Sequence, residues 1–346
     1  MHSLKEHTLN ARATVPPAAE QVRPAPTMPR ELPTLRVSRV GDSVMRGVAT
    51  LAAALITLII GAIGTFLLWR AVPALHGNAL GIKGFFTYAG TWDTSHTHAM
   101  KFGIPNLFFV TITVASLALV IAMPVALGVA LFLSHYCPRR LVAPLGYVVD
   151  LLAAVPSIVY GLWGAMVVGP ALGPLFSVLA EHGRGVFFLQ TYANSPAFST
   201  SRNILTGGIV LAIMILPVIA ATSREVFLHT PRGHIEGALA LGATRWEVVK
   251  MTVLPFGFSG FISGSMLGLG RALGETMALY LIISPSSVFR ASLFDGGTTF
   301  ATAIANAAPE FNDDLKAGAY ISAGLVLFFL TFVVNAVARG IVKGRT

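Results

Sequence analysis

Apolar and polar positions run along this chain in long blocks, not in short periods. Six apolar runs stand out, at about 44–69, 104–133, 141–169, 207–222, 256–284 and 317–338. A helix needs about 20 apolar residues to cross ~30 Å of hydrocarbon. The pattern therefore predicts an all-α membrane protein with six transmembrane helices. The fourth run is short, so its helix is expected to start earlier or to lie tilted. Between the fourth and fifth runs lies a polar island, residues 223–255.

The island is dense in helix punctuation. Thr230 is a good N-cap, and Pro231 suits a first helical position, where its missing N–H costs nothing. Gly242 can take the left-handed conformation that ends a helix. Thr244 and Glu247 have the spacing of a capping box that starts a second helix. Pro255 is expected to close the stretch. Two short helices joined by a turn result. An ordinary connecting loop carries fewer ordered signals, so the island is expected to be a docking surface for a partner.

Composition fits this picture. Of 346 residues, 54% are hydrophobic and only 11% charged, and mean hydropathy is +0.73. Soluble domains are about a quarter charged. The net charge of +9 and pI near 10.1 could suggest nucleic acid. The basic residues, however, sit scattered at the ends of apolar runs, so topology explains them and no nucleic acid is expected. With the N-terminus inside, sixteen Lys and Arg fall on the inner side and seven on the outer, with Arg271 inside a run. Both termini and the island are then cytoplasmic. The single Cys137 excludes an internal disulfide. No phosphate-loop, zinc-protease or serine-hydrolase motif is present.

Three regions are expected: a disordered cytoplasmic tail at 1–38, a first transmembrane helix with its external segment at 39–103, and a five-helix core at 104–340 that includes the island. About 40 residues precede the first apolar run, so cleavage of a signal peptide is not expected. In the external segment Phe85, Phe86, Tyr88 and Trp92 read as interfacial anchors. Asp93, His96 and His98 are too few for a structural metal site, which wants about four ligands. The Gly/Pro/Ser-rich segments 170–206 and 285–316 are candidates to meet an external delivery protein.

The fifth run carries the chemistry. Gly260, Gly264 and Gly268 recur at every fourth position, the pattern that lets membrane helices approach closely. Arg271 and Glu275 continue the same helical face. Arg271 falls near the middle of the run, where a guanidinium costs at least ~2.5–3.5 kcal/mol. Its fork of donors suits a tetrahedral oxyanion, with Glu275 offsetting it between passages. An internal Arg271–Glu275 ion pair that only stabilises the bundle is the competing reading. In the third run Pro156 frees a carbonyl that Ser157 or Tyr160 could satisfy, or those hydroxyls could line a pathway. Asp150 could pair with Arg139, Arg140 or a partner.

The island also resembles the cytoplasmic loop of ABC importer permeases, patterned Glu-Ala-Ala, three residues, Gly, nine residues, then Ile-x-Leu-Pro. Glu236, Ala238, Gly242, Leu254 and Pro255 match; Gly237 and Thr252 depart. The stretches 150–164, 212–217 and 267–278 are similar to permease subunits of phosphate-specific ABC importers, the PstC type, with Asp150 where that family is expected to have Glu. The resemblance covers about 40–340 and excludes the tail. It implies a six-span type I importer (MetI-like) fold and a multi-pass protein of the cytoplasmic membrane. The implied partners are a sister permease (PstA type), two ATPase subunits (PstB type) and an external phosphate-binding protein (PstS type). Glu236, Ala238, Gly242, Ala243, Thr244 and Trp246 would couple to the ATPase. Arg271, Glu275, Ser157 and Tyr160 would serve phosphate passage. No cofactor is expected on this chain, since ATP and Mg²⁺ would be used by the ATPase. The alternatives are a permease for another oxyanion such as sulfate or molybdate, a secondary transporter working alone, or, more distantly, a membrane enzyme.

Overall fold

The computed structural model describes residues 40–96, 99–183, 185–191, 195–286 and 288–343. The tail at 1–38 and His98 lie outside them. The described residues form helices with no strand. In order they are α1 (Val40–His76), α2 (Gly81–Thr87), α3 (Pro105–Leu131), α4 (Arg139–Ala154), α5 (Ser157–Trp163), α6 (Gly169–His182), α7 (Pro196–Ser199), α8 (Ile204–Leu228), α9 (Arg232–Ala240), α10 (Arg245–Val248), α11 (Leu254–Leu273), α12 (Met277–Ile282), α13 (Phe300–Ala307) and α14 (Asp314–Lys343). Single π-helical turns at Phe132–Tyr136, Gly164–Val168 and Val249–Val253 prolong α3, join α5 to α6, and join α10 to α11.

Among the described residues six helical stretches are long and apolar enough to cross a membrane: Gly41–His76, Pro105–Tyr136, Ser157–His182, Ile204–Leu228, Arg245–Leu273 and Asp314–Gly340. Two differ in placement from the sequence expectation. The third begins at Ser157, not near 141, because extended backbone at Val155 and Pro156 ends α4. Pro156 cannot continue a helix and disfavours helical geometry in its predecessor. The fifth ends at Leu273, not near 284, because Gly274 terminates α11. The fourth starts earlier than 207 and ends later than 222.

Contacts divide the chain within α1, into residues 1–57 and 58–346. The described part of the first unit, from Val40, is uninterrupted helix. The second unit is built around α3 and α8. Ala118, Ala122, Ala126 and Ala130 repeat every fourth position on α3, and all are fully buried. They form one core with Leu211, Ile215 and Ile219 of α8 and Leu273 and Ile282 beyond it. A second cluster gathers Phe85, Met100, Phe102 and Ile104 with Phe300, Ala319 and Ala323. The boundary at 103/104 drawn from the sequence falls inside this cluster. The expected anchors divide: Phe86 is exposed, but Phe85 is buried, and Trp92 stacks between Phe102 and Tyr320 with ring centroids 5.2 Å from each.

Candidate functional site

The seam between α8 and α11 sets the depth of every later residue. A Cβ added at Gly257 would run into Phe227, and one at Gly264 into Thr222. At Gly260 it would lie 2.5 Å from Val226 Cγ2, and at Gly268 2.8 Å from Ile219 Cγ1. Only glycine lets the two helices come this close. The pairings march up α8 turn by turn, so Gly268 stands level with residues 215–219. Arg271, one turn further, is therefore level with the middle of α8, a helix about 37 Å long at 1.5 Å per residue.

At that level the helix breaks. Gly274 ends α11, and Thr276 begins α12. The Thr276 hydroxyl donates to the Gly274 carbonyl at 3.1 Å. Arg271 occupies the last turn of α11, where unpaired carbonyls and the negative end of the helix dipole favour a cation. Glu275 is buried and its Oε1 accepts from the Ala278 N–H at 3.1 Å, at the positive end of α12. Each charge is thus held by a helix end of the appropriate sign. Among the described residues no carboxylate lies within ion-pair distance of Arg271, so the internal Arg271–Glu275 ion pair of the competing reading is not formed. The break itself accounts for this. It carries Glu275 off the face that Arg271 would share with it on an unbroken helix.

Arg271 lines a cavity of about 710 Å³ between α11, α8 and α14, with Ser263, Gly270, Asn335 and Arg339. The other pathway candidates fall elsewhere. Tyr160 is buried, and its hydroxyl donates to the Leu152 carbonyl at 3.0 Å. It thereby bridges the Pro156 break and satisfies a carbonyl at the end of α4. Ser157 is half-buried at the start of α5, and neither it nor Tyr160 nor Glu275 lines that cavity. Asp150 is exposed, with no ion pair to Arg139 or Arg140. The glycines Gly161 and Gly164 of the third span, which the sequence reading did not use, seat α5 and its π-turn on Ala278 and Ile282 of α12.

The polar island folds as a hairpin. α9 starts at Arg232, one residue later than expected, with Pro231 as its N-cap. The Thr230 hydroxyl is buried without a partner instead of capping. Gly242 has φ of +84°, the conformation that costs a non-glycine residue. Thr244 and Glu247 form the full capping box: the Thr244 N–H donates to Glu247 Oε2 at 2.7 Å, and Glu247 N–H returns a bond of 3.3 Å to Thr244 Oγ1. Pro255 does not stop the chain, which stays helical from Arg245 to Leu273 through the π-turn. Glu236, Gly242, Thr244 and Trp246 are exposed; Ala238 and Ala243 are half-buried. Leu239, Leu241 and Trp246 leave 47%, 91% and 59% of their surfaces open, an unusual concentration of apolar surface on a short polar segment.

Two further cavities lie beyond α12, of about 210 and 410 Å³. Among the described residues no group of three or more His, Cys, Asp or Glu gathers as a metal site. The Asp93 carboxylate is instead held below its usual range by hydrogen bonds from Ser95, its N–H donating at 2.9 Å.

A helical membrane core with a capped hairpin between two close-packed spans now meets its relatives. The family described as binding-protein-dependent transport system inner membrane component matches residues 122–346. This chain belongs to that family. Like this permease, its relatives are nearly full-length matches. It is 51% identical over 312 residues to "Phosphate transport system permease protein PstC 2" of Mycobacterium tuberculosis, covering 90% of this chain and 94% of that protein. It is 54% identical over 281 residues to the PstC protein of Mycobacterium leprae, covering 81% and 86%. It is 39% identical over 292 residues to that of Xylella fastidiosa Temecula1, covering 84% and 86%. Among solved structures, an inward-facing MetNI methionine ABC transporter chain superposes with a TM-score of 0.51 at 15% identity, covering 70% of this permease and 95% of that chain. The fold is that of MetI-like importer permeases, and the chain is a multi-pass membrane protein.

Proposed function

We propose that this permease forms half of the pathway of an ATP-driven inorganic phosphate importer and lies in the cytoplasmic membrane with both termini inside. The relatives named as phosphate transport permeases support the substrate. One observation carries the mechanism: the Arg271 guanidinium ends a broken helix at mid-depth, lines a cavity, and among the described residues has no carboxylate within ion-pair distance. A permanently cationic fork in that position binds a tetrahedral oxyanion through two parallel N–H donors. Binding must also be weak enough to release. The helix-end carbonyls near Arg271 temper its charge without a full counter-ion. Ser157, Tyr160 and Glu275 act around it, Tyr160 by holding the Pro156 break and Glu275 by fixing the start of α12.

The exposed hairpin supplies the coupling. Glu236, Ala238, Gly242, Ala243, Thr244 and Trp246 dock on a separate ATPase of the PstB type, which uses ATP and Mg²⁺. This chain carries no cofactor of its own. A sister permease of the PstA type completes the pathway, and a PstS-type binding protein delivers phosphate from outside.

The test is Arg271→Gln in the assembled transporter. Phosphate uptake falls at least about tenfold, the effect of losing roughly 1.4 kcal/mol of transition-state stabilisation, while membrane levels and ATPase association stay normal. Unchanged uptake overturns the reading. Uptake of labelled sulfate or molybdate that unlabelled phosphate does not compete assigns the other oxyanion.

A further inference from the structure

Beyond α12, the cavity of about 210 Å³ is lined by Arg202, Tyr280, Thr298, Thr299, Thr302 and Asn306. Its polar lining has a single charge. Nη2 of Arg202 donates to the Leu281 carbonyl at 2.8 Å, at the C-terminal end of α12. Its Nε is fully buried with no partner. Among the described residues no carboxylate lies within ion-pair distance of it. The nearby acid, Asp295, is already engaged by Arg290 at 3.3 Å and by Ser195 and the Gly296 N–H. A buried donor left unmade carries its desolvation penalty uncompensated, so capping one carbonyl is a poor sole reason for this arginine.

The backbone is bent to place it. Ser201 has φ of +54°, the sole positive φ on a non-glycine among the described residues. Such strain persists only where the surrounding structure enforces it. It is locked by Thr206 Oγ1 donating to the Ser201 carbonyl at 2.7 Å and by the Ser284 N–H donating to the Arg202 carbonyl at 2.8 Å. The N-terminal end of α13 also faces the cavity through Thr299 and Thr302, adding positive potential. The neighbouring cavity of about 410 Å³ shares Pro285, Thr298 and Asn306 with it, so the two adjoin as one vestibule. Leu279, Tyr280, Leu281 and Ile283 line this vestibule, and Gly270 and Arg271 line the cavity of Arg271. The broken helix is what stands between them.

We propose that Arg202 makes this vestibule an oxyanion-holding site on the outer side of α12, the place where the anion waits before passing to Arg271. This rests on the importer reading for the identity of the anion and for the outward direction, but not for the existence of the site. Tyr280, Thr298, Thr302 and Asn306 supply neutral hydrogen-bonding groups around the guanidinium.

The experiment places a cysteine at Thr298, half-buried and shared by both vestibule cavities, in a Cys137→Ser background of the whole transporter. Membrane-impermeant methanethiosulfonates are applied to the outer face of sealed vesicles, one carrying a sulfonate and one a quaternary ammonium. Relative to their rates with a free thiol, the anionic reagent reacts at least about tenfold faster, the enrichment a like-signed cleft gives its counter-ion. The preference disappears in Arg202→Gln, persists in Arg202→Lys, and phosphate slows the anionic reagent. Equal corrected rates with Arg202 intact, or a preference that survives Arg202→Gln, overturn the proposal. Should Arg202→Gln not assemble, the rates with native Arg202 and with Arg202→Lys still decide it. A preference slowed by sulfate and not by phosphate upholds the site and overturns the phosphate reading. Equal corrected rates with native Arg202, alongside phosphate uptake that still depends on Arg271, overturn the site alone.

Discussion

The seam of α8 and α11 and the hairpin of α9 and α10 are both rich in glycine, for opposite reasons. In the seam each glycine is needed by a neighbour: a Cβ at Gly257, Gly260, Gly264 or Gly268 would enter Phe227, Val226, Thr222 or Ile219. In the hairpin Gly233, Gly237 and Gly242 have open space around them, and Gly242 alone is required by its backbone angle. The seam is finished within this chain. The hairpin is well formed yet bare, with α10 held by its capping box and its apolar side chains in the open. An element ordered by its own caps and left uncovered is built for something outside the chain.

Substitutions can break this contrast. The largest effect is expected from Gly264→Leu, which forces α8 and α11 apart and costs the 1–3 kcal/mol or more typical of overpacking, so about that much stability is lost. Melting in detergent checks it; an unchanged midpoint would show that the seam is loose. Gly242→Val and Trp246→Ala come next and act on the other side of the comparison. Both abolish ATPase capture in a pull-down and leave melting of the membrane core within about 0.5 kcal/mol of native. Normal capture by either variant would remove the hairpin from the coupling role. The smallest effect belongs to Thr244→Ala, which deletes half of the capping box for about 1 kcal/mol. Weakened but measurable capture is expected, and full capture would mean that the partner alone orders α10.

Much of this was legible in residue order. The block pattern predicts six spans and finds six, because lipid demands internally satisfied backbone over a fixed length. The capping box and the left-handed Gly242 are local rules, and both hold. What failed was longer in range. Hydropathy cannot see that Pro156 divides the third run into α4 and α5, since both halves are apolar. The end of α11 at Gly274 was also missed, although a glycine followed two residues later by Thr276 is the signal for one helix ending and another beginning. That miss altered the chemistry, because it turned an i,i+4 pair, Arg271 and Glu275, into two separately held charges. The alanine ladder on α3 has the same four-residue spacing as the glycines and escaped notice only because alanine is common. The Arg202 vestibule was out of reach: it joins residues 202, 280 and 298 through a fold that no local pattern encodes.

The unbroken helix from Arg245 to Leu273 has one more consequence. Its 29 residues make a rod of about 43 Å at 1.5 Å per residue, with Trp246 near one tip and Arg271 near the other. A rigid rod cannot absorb axial thrust, so displacement imposed on the indole must reappear at the guanidinium or be taken up in the π-turn at Val249–Val253. On the proposed coupling, the compliance of that single wide turn would set how much of a stroke delivered at Trp246 arrives at Arg271.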